Sequence, residues 1–312
     1  AQKNQVAYKF KVLLLAVLGN AYVGAMLLLV AFLFLMLLAS ITVLKAVAFK
    51  LIIVVGFFLW TTVKALWVKV APPVGTRITR EEAPELFVTI DELRLRLGAP
   101  RFHTVLITDE FNAGVVQSPR LGLFGWSSNY LLIGLPLMKV LSVEQFKAVL
   151  AHEFGHLAKG HGRMSNWIYR QRLRWSRLLT ILDANQSRGR FLFKPFLNWF
   201  APYFSAFTFP MARSNEYEAD ATSVKLTSTK TAAEALTSVN VVGSYMTEKY
   251  WPEIHRQADE QPQPAFAPYF QIGQGLLSDI DEKSATIWID RAMARVTDSQ
   301  DTHPALVDRL RA

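Results

Sequence analysis

Residues 152–156 read His152-Glu153-Phe154-Gly155-His156. Two histidines four apart stand one helical turn above each other, which lets both imidazoles reach a single zinc ion. Glu153, next to the first of them, projects beside that ion and can take a proton from a water whose pKa the metal lowers to about 7. A hydrolytic zinc site keeps one coordination position open and needs a third protein ligand. The chain contains no cysteine, so disulfide scaffolds, thiolate zinc sites, cysteine nucleophiles and iron–sulfur clusters are excluded, and the third ligand is a histidine or a carboxylate. The stretch RSNEYEADA, residues 213–221, offers Glu216 and Asp220, four apart in a segment of helical composition. Glu216 suits the metal, and Asp220 suits the free ring N–H of a ligating histidine. Glu218 competes, two residues off that face.

The elements that must position these groups are well marked. Ser142 and Gln145 form a capping box at the start of a helix expected over 142–159, which Gly160 ends. Upstream, Leu86, Ile90, Leu93 and Leu97 recur at helical spacing and stop at Gly98. The runs TVLITD (104–109) and NYLLIGL (129–135) predict strands, with the Gly- and Pro-punctuated stretch 112–128 as the connection between them. Runs of this kind, with helices not alternating regularly with strands, predict an α+β domain that is mainly helical.

The N-terminal part has another character. From Val12 to Leu44 no residue carries a formal charge, whereas about 20 apolar residues cross a bilayer. The apolar sequence resumes after Lys50, so a transmembrane helical hairpin is expected, residues 12–38 and 44–68. A secretory signal has the same basic start, here Lys3, Lys9 and Lys11, but an apolar core of only about 7–15 residues. Basic residues gather before the first span and after the second, which puts both ends of the hairpin, and the domain that follows, in the cytoplasm. The division expected is a tail and hairpin over 1–71 and a catalytic domain over 72–312. Within that domain, 163–211 is a basic and aromatic insertion associated with the membrane. Between Arg163 and Arg190 seven arginines face one acid, Asp183. Net charge is +9, yet no nucleic-acid motif accompanies these arginines, so no nucleic-acid partner is expected. A surface on anionic headgroups and an ordinary solvated helix both suit the pattern. Residues 191–210 are aromatic but interrupted by Lys194, Pro195, Asn198 and Pro202, which argues against a spanning helix. The Pro- and Gln-rich 252–275 predicts a long loop or lid.

Four blocks in order, NAGVVQ from Asn112, LLIGLPLMKVLSVEQFKAVLAHEFGHLAKGH, ARSNEYEAD and THPALVDRL, make the chain from about Leu86 onward resemble the integral-membrane zinc metallopeptidases. That family includes the heat-shock protease HtpX and the CAAX prenyl endopeptidase, gluzincins whose third ligand is Glu. The resemblance implies a zincin-like fold, one Zn2+ per chain held by His152, His156 and Glu216, Glu153 as general base and Asp220 as the partner of His152. It also implies that Asn112, Ala113 and Gly114 belong to an edge strand that pairs with an extended peptide or protein substrate. Gly114 stands where the family often has a bulkier residue. His303, before Pro304, is expected at a helix start; the matching motif implies a place near the active site, where its imidazole hydrogen-bonds the oxyanion. A simple cap is the plainer role for it. The implied setting is the lipid bilayer of a bacterial inner membrane. A catalytically silent or latent membrane scaffold of the same fold is the alternative function.

Overall fold

The computed structural model describes residues 5–40, 49–57, 59–60, 72–121, 124–157, 168, 171–172, 174–176, 178–180, 193–261, 263, 267–272, 279–298 and 303–312. They divide into two compact units: 1–71 with 119–127 and 164–212, and 72–118 with 128–163 and 213–312.

The first unit is helical. α1 runs Gln5–Ala39 and is long and apolar enough over Val6–Ala39 to cross a membrane. Of the predicted second span, 49–57 and 59–60 are helical and the rest lies outside the described residues. Much of the α1 surface is bare Leu, Val and Phe, including Leu14, Val17 and Phe32, a surface stable in hydrocarbon rather than water. The opposite face buries Val12, Ala16 and Val23 with Trp175, Leu178, Leu197, Phe200 and Phe204. Trp175 and Leu178 therefore face the core of this unit and are not available to headgroups; most of the arginine-rich stretch lies outside the described residues.

Residues 191–210 correct the expectation of an interrupted segment. From Lys194 the chain is one helix, α5, Lys194–Leu226, with Pro202 and Pro210 inside it. A proline removes one intrahelical hydrogen bond and crowds the preceding turn. Side chains engage the carbonyls just before Pro210: Thr208 Oγ1 donates to Phe204 O at 2.6 Å, Arg172 Nη1 to Ser205 O at 3.1 Å and Tyr8 Oη to Phe207 O at 2.8 Å. Stacked rings add contact along the same helix, Phe196 on Phe200 with centroids 4.9 Å apart.

The second unit contains a four-stranded sheet of order β1-β2-β4-β3, where β1 is Thr76–Ile78, β2 Thr104–Thr108, β3 Ala113–Leu121 and β4 Phe124–Gly134. β1 and β2 pair antiparallel, Thr76 opposite Ile107, while β2 and β4 run parallel, Thr104 opposite Tyr130. Most of the stretch expected as a connection is thus strand: β3 and the start of β4. Pro119 is tolerated because β3 is an edge strand, where a missing N–H interrupts no inner ladder. α2, Pro84–Leu97, ends as expected at Gly98, whose φ of 61° is left-handed. α3 is Leu135–Val140 and α4, the helix of the histidines, is Val143–Gly155. Ile90 and Leu93 of α2, Leu131 and Ile133 of β4 and Phe146, Leu150 and Phe154 of α4 share one core. Beyond α5 follow α6, Thr229–Tyr245, and a π-helical turn at Met246–Tyr250. Then come α7, Trp251–Glu260, α8, Pro268–Gln271, α9, Glu282–Ala294, and α10, Leu306–Arg311. The start of the expected 252–275 loop is therefore α7, and Tyr250, just before it, ties the stretch to α8 by donating from Oη to Pro268 O at 2.5 Å.

Candidate active site

The orientation of α4 follows from its two sides. At its start Gln145 N donates to Ser142 Oγ and Ser142 N to Gln145 Oε1, at 3.3 and 3.1 Å, the reciprocal cap the sequence predicts. Phe146, Leu150 and Phe154 are buried, which fixes the rotation of the helix and leaves His152 and His156 on another face. The helix closes at Gly155, earlier than the expected boundary; Gly160 lies outside the described residues. His156 is the C-cap residue, still in right-handed helical geometry at φ −62° and ψ −21°. Leu157 N donates to Phe154 O at 2.9 Å, a tightened last turn, and the two imidazoles remain neighbours, with centroids 5.0 Å apart and planes at 89°.

α5 approaches this helix closely because the contact is made of small residues. A Cβ on Gly155 would lie 3.2 Å from Ala219 Cα, closer than side chains ordinarily pack. One turn along, Ser223 Oγ donates to Ala148 O at 2.7 Å. Ala219 and Ser223 bracket Asp220, and Glu216 lies one turn before it, so the packing that joins the helices also carries both carboxylates to the histidines.

His152 Nδ1 is 2.8 Å from Asp220 Oδ1. Asp220 is gripped from its other side by Arg309 of α10, Nη2 to Oδ1 at 2.6 Å and Nε to Oδ2 at 2.9 Å. Glu216 lies between both imidazoles, Oε2 3.6 Å from His152 Nε2 and Oε1 3.5 Å from His156 Nε2. His303 Nδ1 contacts Glu216 Oε2 directly. It does not begin a helix: α10 starts at Leu306, with Ala305 as its cap. Asn112 precedes β3. Ala113 is buried at 5% exposure, whereas nothing stands within 4 Å of the position a Gly114 Cβ would take.

Whether this set suits a metal is decided by His152 Nε2, which is buried and has no hydrogen-bond partner among the described residues. Its 3.6 Å approach to Glu216 is too long for a hydrogen bond. The separations of 3.5 and 3.6 Å are close to the edge of a tetrahedron with bonds near 2.1 Å, about 3.4 Å. A buried imidazole nitrogen left unpaired beside a carboxylate is costly unless a cation completes it. His152, Glu216 and His303 have donor atoms within 4.8 Å of one another, so the residues present fit a divalent ion.

The ionisable groups of this set shift one another. Burial lowers the pKa of His152, but Asp220 and Glu216 outweigh it and bring it to about 9. His156 goes the other way, to about 4, through burial and the positive charge on His152. Glu216 and Asp220, despite burial that raises them, are held below the usual carboxylate range by His152 and His303 for the first, and by Arg309 and His152 for the second. Glu153 is pushed up, because its burial outweighs the cations nearby. A carboxyl with a raised pKa is a better proton acceptor.

A cavity of ≈ 440 Å³ opens at His152, Glu153 and His303, with Asn112 and Tyr217 also on its wall. Arg309 is the site residue that motif and spacing do not single out. Its signal lies in the terminal block THPALVDRL, which also contains His303.

Paired histidines and carboxylates gathered on two packed helices beside a small mixed sheet define the metallopeptidase class. The family model that matches is Peptidase family M48, over residues 106–312. The chain belongs to that family. No curated protein matches it. Among solved structures it is similar to S. mikatae Ste24p, with 18% identity and a TM-score of 0.40 over 97% of this chain, and it spans 66%, just under two thirds, of that protein's length.

Proposed function

We propose that this chain is a membrane-anchored zinc endopeptidase, with residues 1–71 as anchor, 72–312 as catalytic domain and 163–211 as a membrane-associated insertion. The observation that carries the reading is the buried Nε2 of His152, unpartnered among the described residues and facing Glu216, with the carboxyl of Glu153, half-buried on the cavity wall, next in sequence. His152, His156 and Glu216 hold the zinc. When bound, zinc supplies Lewis acidity toward the scissile carbonyl and an acidified water. Glu153 accepts the proton of the attacking water and passes it to the leaving amine, a transfer favoured by its raised pKa. Asp220 accepts the Nδ1–H of His152, which fixes the tautomer that leaves Nε2 as a ligand. Arg309 keeps the Asp220 carboxylate ionised and in place. The His303 imidazole donates to the oxyanion of the tetrahedral intermediate. Substrate backbone adds to the edge strand at Asn112, Ala113 and Gly114, which grips main chain and so tolerates many sequences.

The substrates that fit such a grip are unfolded or surplus membrane proteins; the bias of Lys and Arg toward the two ends of the apolar hairpin supports a cytoplasmic site, and the setting proposed is a bacterial inner membrane. A silent scaffold is the lesser reading, since a purely structural metal has no use for a carboxyl at 153 on the cavity wall. The test is cleavage of an unfolded protein by the full chain in detergent with added zinc, against Glu153→Gln. The expected result is one zinc per chain in both and cleavage by the unmodified chain alone. Equal cleavage by the two, or an unmodified chain that takes up no zinc, overturns the reading.

A further inference from the structure

A second cavity of the same unit has no lining residue in common with the one at the histidines. It measures ≈ 240 Å³ and is bounded by the turn before α2, by α2 itself and by the chain leading into β2. Its charged lining is Arg80, Arg94, Arg101 and Asp91. Arg80 Nη1 donates to Asp91 Oδ2 at 2.7 Å and Arg94 Nε to Asp91 Oδ1 at 3.4 Å, so two guanidinium groups share one carboxylate. The side chain of Arg101 has no hydrogen-bond or ion-pair partner among the described residues.

The three arginines are held by their backbone, not gathered by chance on a loose surface. Thr79 N donates to Glu82 Oε2 at 2.7 Å and Ala83 N to Thr79 O at 3.2 Å, which fixes the turn that carries Arg80 and commits Glu82 away from the cavity. Arg94 stands on α2, which Ile90 and Leu93 fasten to the core, and its side chain is only 16% exposed. After Gly98 the chain turns back, Ala99 N donating to Arg94 O at 3.0 Å, and Asn129 Nδ2 donates to Arg101 O at 3.0 Å. Phe87 and Phe102 complete the lining; the Arg80 guanidinium lies over the Phe87 ring, 4.9 Å from its centroid.

Three guanidinium groups against one carboxylate leave two positive charges on the wall of one small space. A carboxylate ligand neutralises one of them, whereas a phosphate monoester carries about −1.5 to −2 at neutral pH and offers three acceptor oxygens. Guanidinium is the side chain whose planar fork meets such oxygens in pairs. The volume is below the ~300–1,000 Å³ of sites that enclose a drug-sized molecule, so it suits a headgroup rather than a whole nucleotide.

We propose that this cavity binds a phosphate monoester, carried by a lipid headgroup or as free phosphate, through Arg80, Arg94 and Arg101. The site is separate from the metal and proton chemistry and does not depend on the peptidase reading.

The experiment is titration calorimetry on the full chain in an uncharged detergent. The probes are inorganic phosphate and the short-chain dihexanoyl forms of phosphatidic acid, a monoester, and of phosphatidylglycerol and phosphatidylcholine, both diesters. Phosphatidic acid is expected to bind at one site per chain, at least ~10-fold more tightly than phosphatidylglycerol, whose phosphate carries a single charge, and to resist displacement by phosphatidylcholine. Arg101→Gln is expected to weaken it by ~10-fold and to leave zinc content unchanged. Arg80→Gln, with its melting temperature taken alongside, is expected to act in the same direction. Arg101→Gln carries the test if Arg80→Gln does not fold, since it removes no ion pair among the described residues. Inorganic phosphate bound as tightly as phosphatidic acid assigns the site to free phosphate, and weaker binding of it assigns the site to the lipid headgroup; both uphold the proposal. Three results overturn it: neither phosphate nor phosphatidic acid binds, phosphatidylglycerol binds as tightly as phosphatidic acid, or the affinity is unmoved in folded Arg101→Gln and Arg80→Gln chains.

Discussion

The two units treat buried polarity in opposite ways. In the first, three polar side chains end on backbone or on a neutral partner: Tyr8 on Phe207 O, Arg172 on Ser205 O and Asn20 on Gln171, the last at 3.3 Å. Trp175 Nε1 is the exception among the described residues. In the second, ionisable groups meet one another, His152, Glu216, Asp220, His303 and Arg309 in one connected set, and a ring nitrogen is left unpaired at its centre. Hydrogen bonds to backbone hold helices together and can do little else. A cluster of ionisable groups gives a cation a place to bind, and a cation bound to the folded chain adds to its stability.

The comparison breaks most visibly at Glu153. Its change to Gln is expected to lower turnover by ~10²–10⁴-fold with zinc content unchanged, as metal analysis and a peptide assay on one preparation will show. Asp220→Ala removes the acceptor that orients His152 and is expected to weaken zinc by ~10–100-fold. A competing chelator measures this, and an unaltered affinity would mean that the Asp220–Arg309 pair serves folding alone. The pH dependence of zinc uptake sharpens the same point. His152, with a pKa of about 9 in the metal-free chain, is protonated below that pH and must lose its proton to bind. Affinity is therefore expected to rise about 10-fold per pH unit from neutrality toward 9 and to level off above it. His156, brought to about 4, is already neutral there and adds no slope. The smallest effect belongs to the first unit: Asn20→Leu is expected to cost ~0.5–2 kcal/mol of helix association, read as a lower melting temperature in detergent with full zinc content. Loss of zinc from that variant would break the comparison.

Much of the site was legible because its signals are local. A helical repeat of 3.6 residues puts 152 and 156 on one face, and 216 and 220 on another, whatever else the chain does. The capping box, the left-handed stop at Gly98 and the long apolar start are equally short-range, and each was written in a few adjacent residues. The misread segments are those whose fate depends on distant partners. Pro202 signals a break, yet the helix runs on through it and through Pro210, before which Thr208, Arg172 and Tyr8 engage the backbone carbonyls. The stretch 112–128 has loop composition but becomes β3 and much of β4, because the edge of a sheet was there to pair with it.

By itself, then, the sequence determined the donor types, their helical spacing and the absence of any thiolate alternative, since these depend on residue identity and the geometry of one helix. Only the tertiary structure decided which groups meet: Arg309 on Asp220 and His303 on Glu216. Those contacts join residues far apart in sequence, and they exist because Gly155 and Ala219 let two helices approach and a shared apolar core holds their rotation.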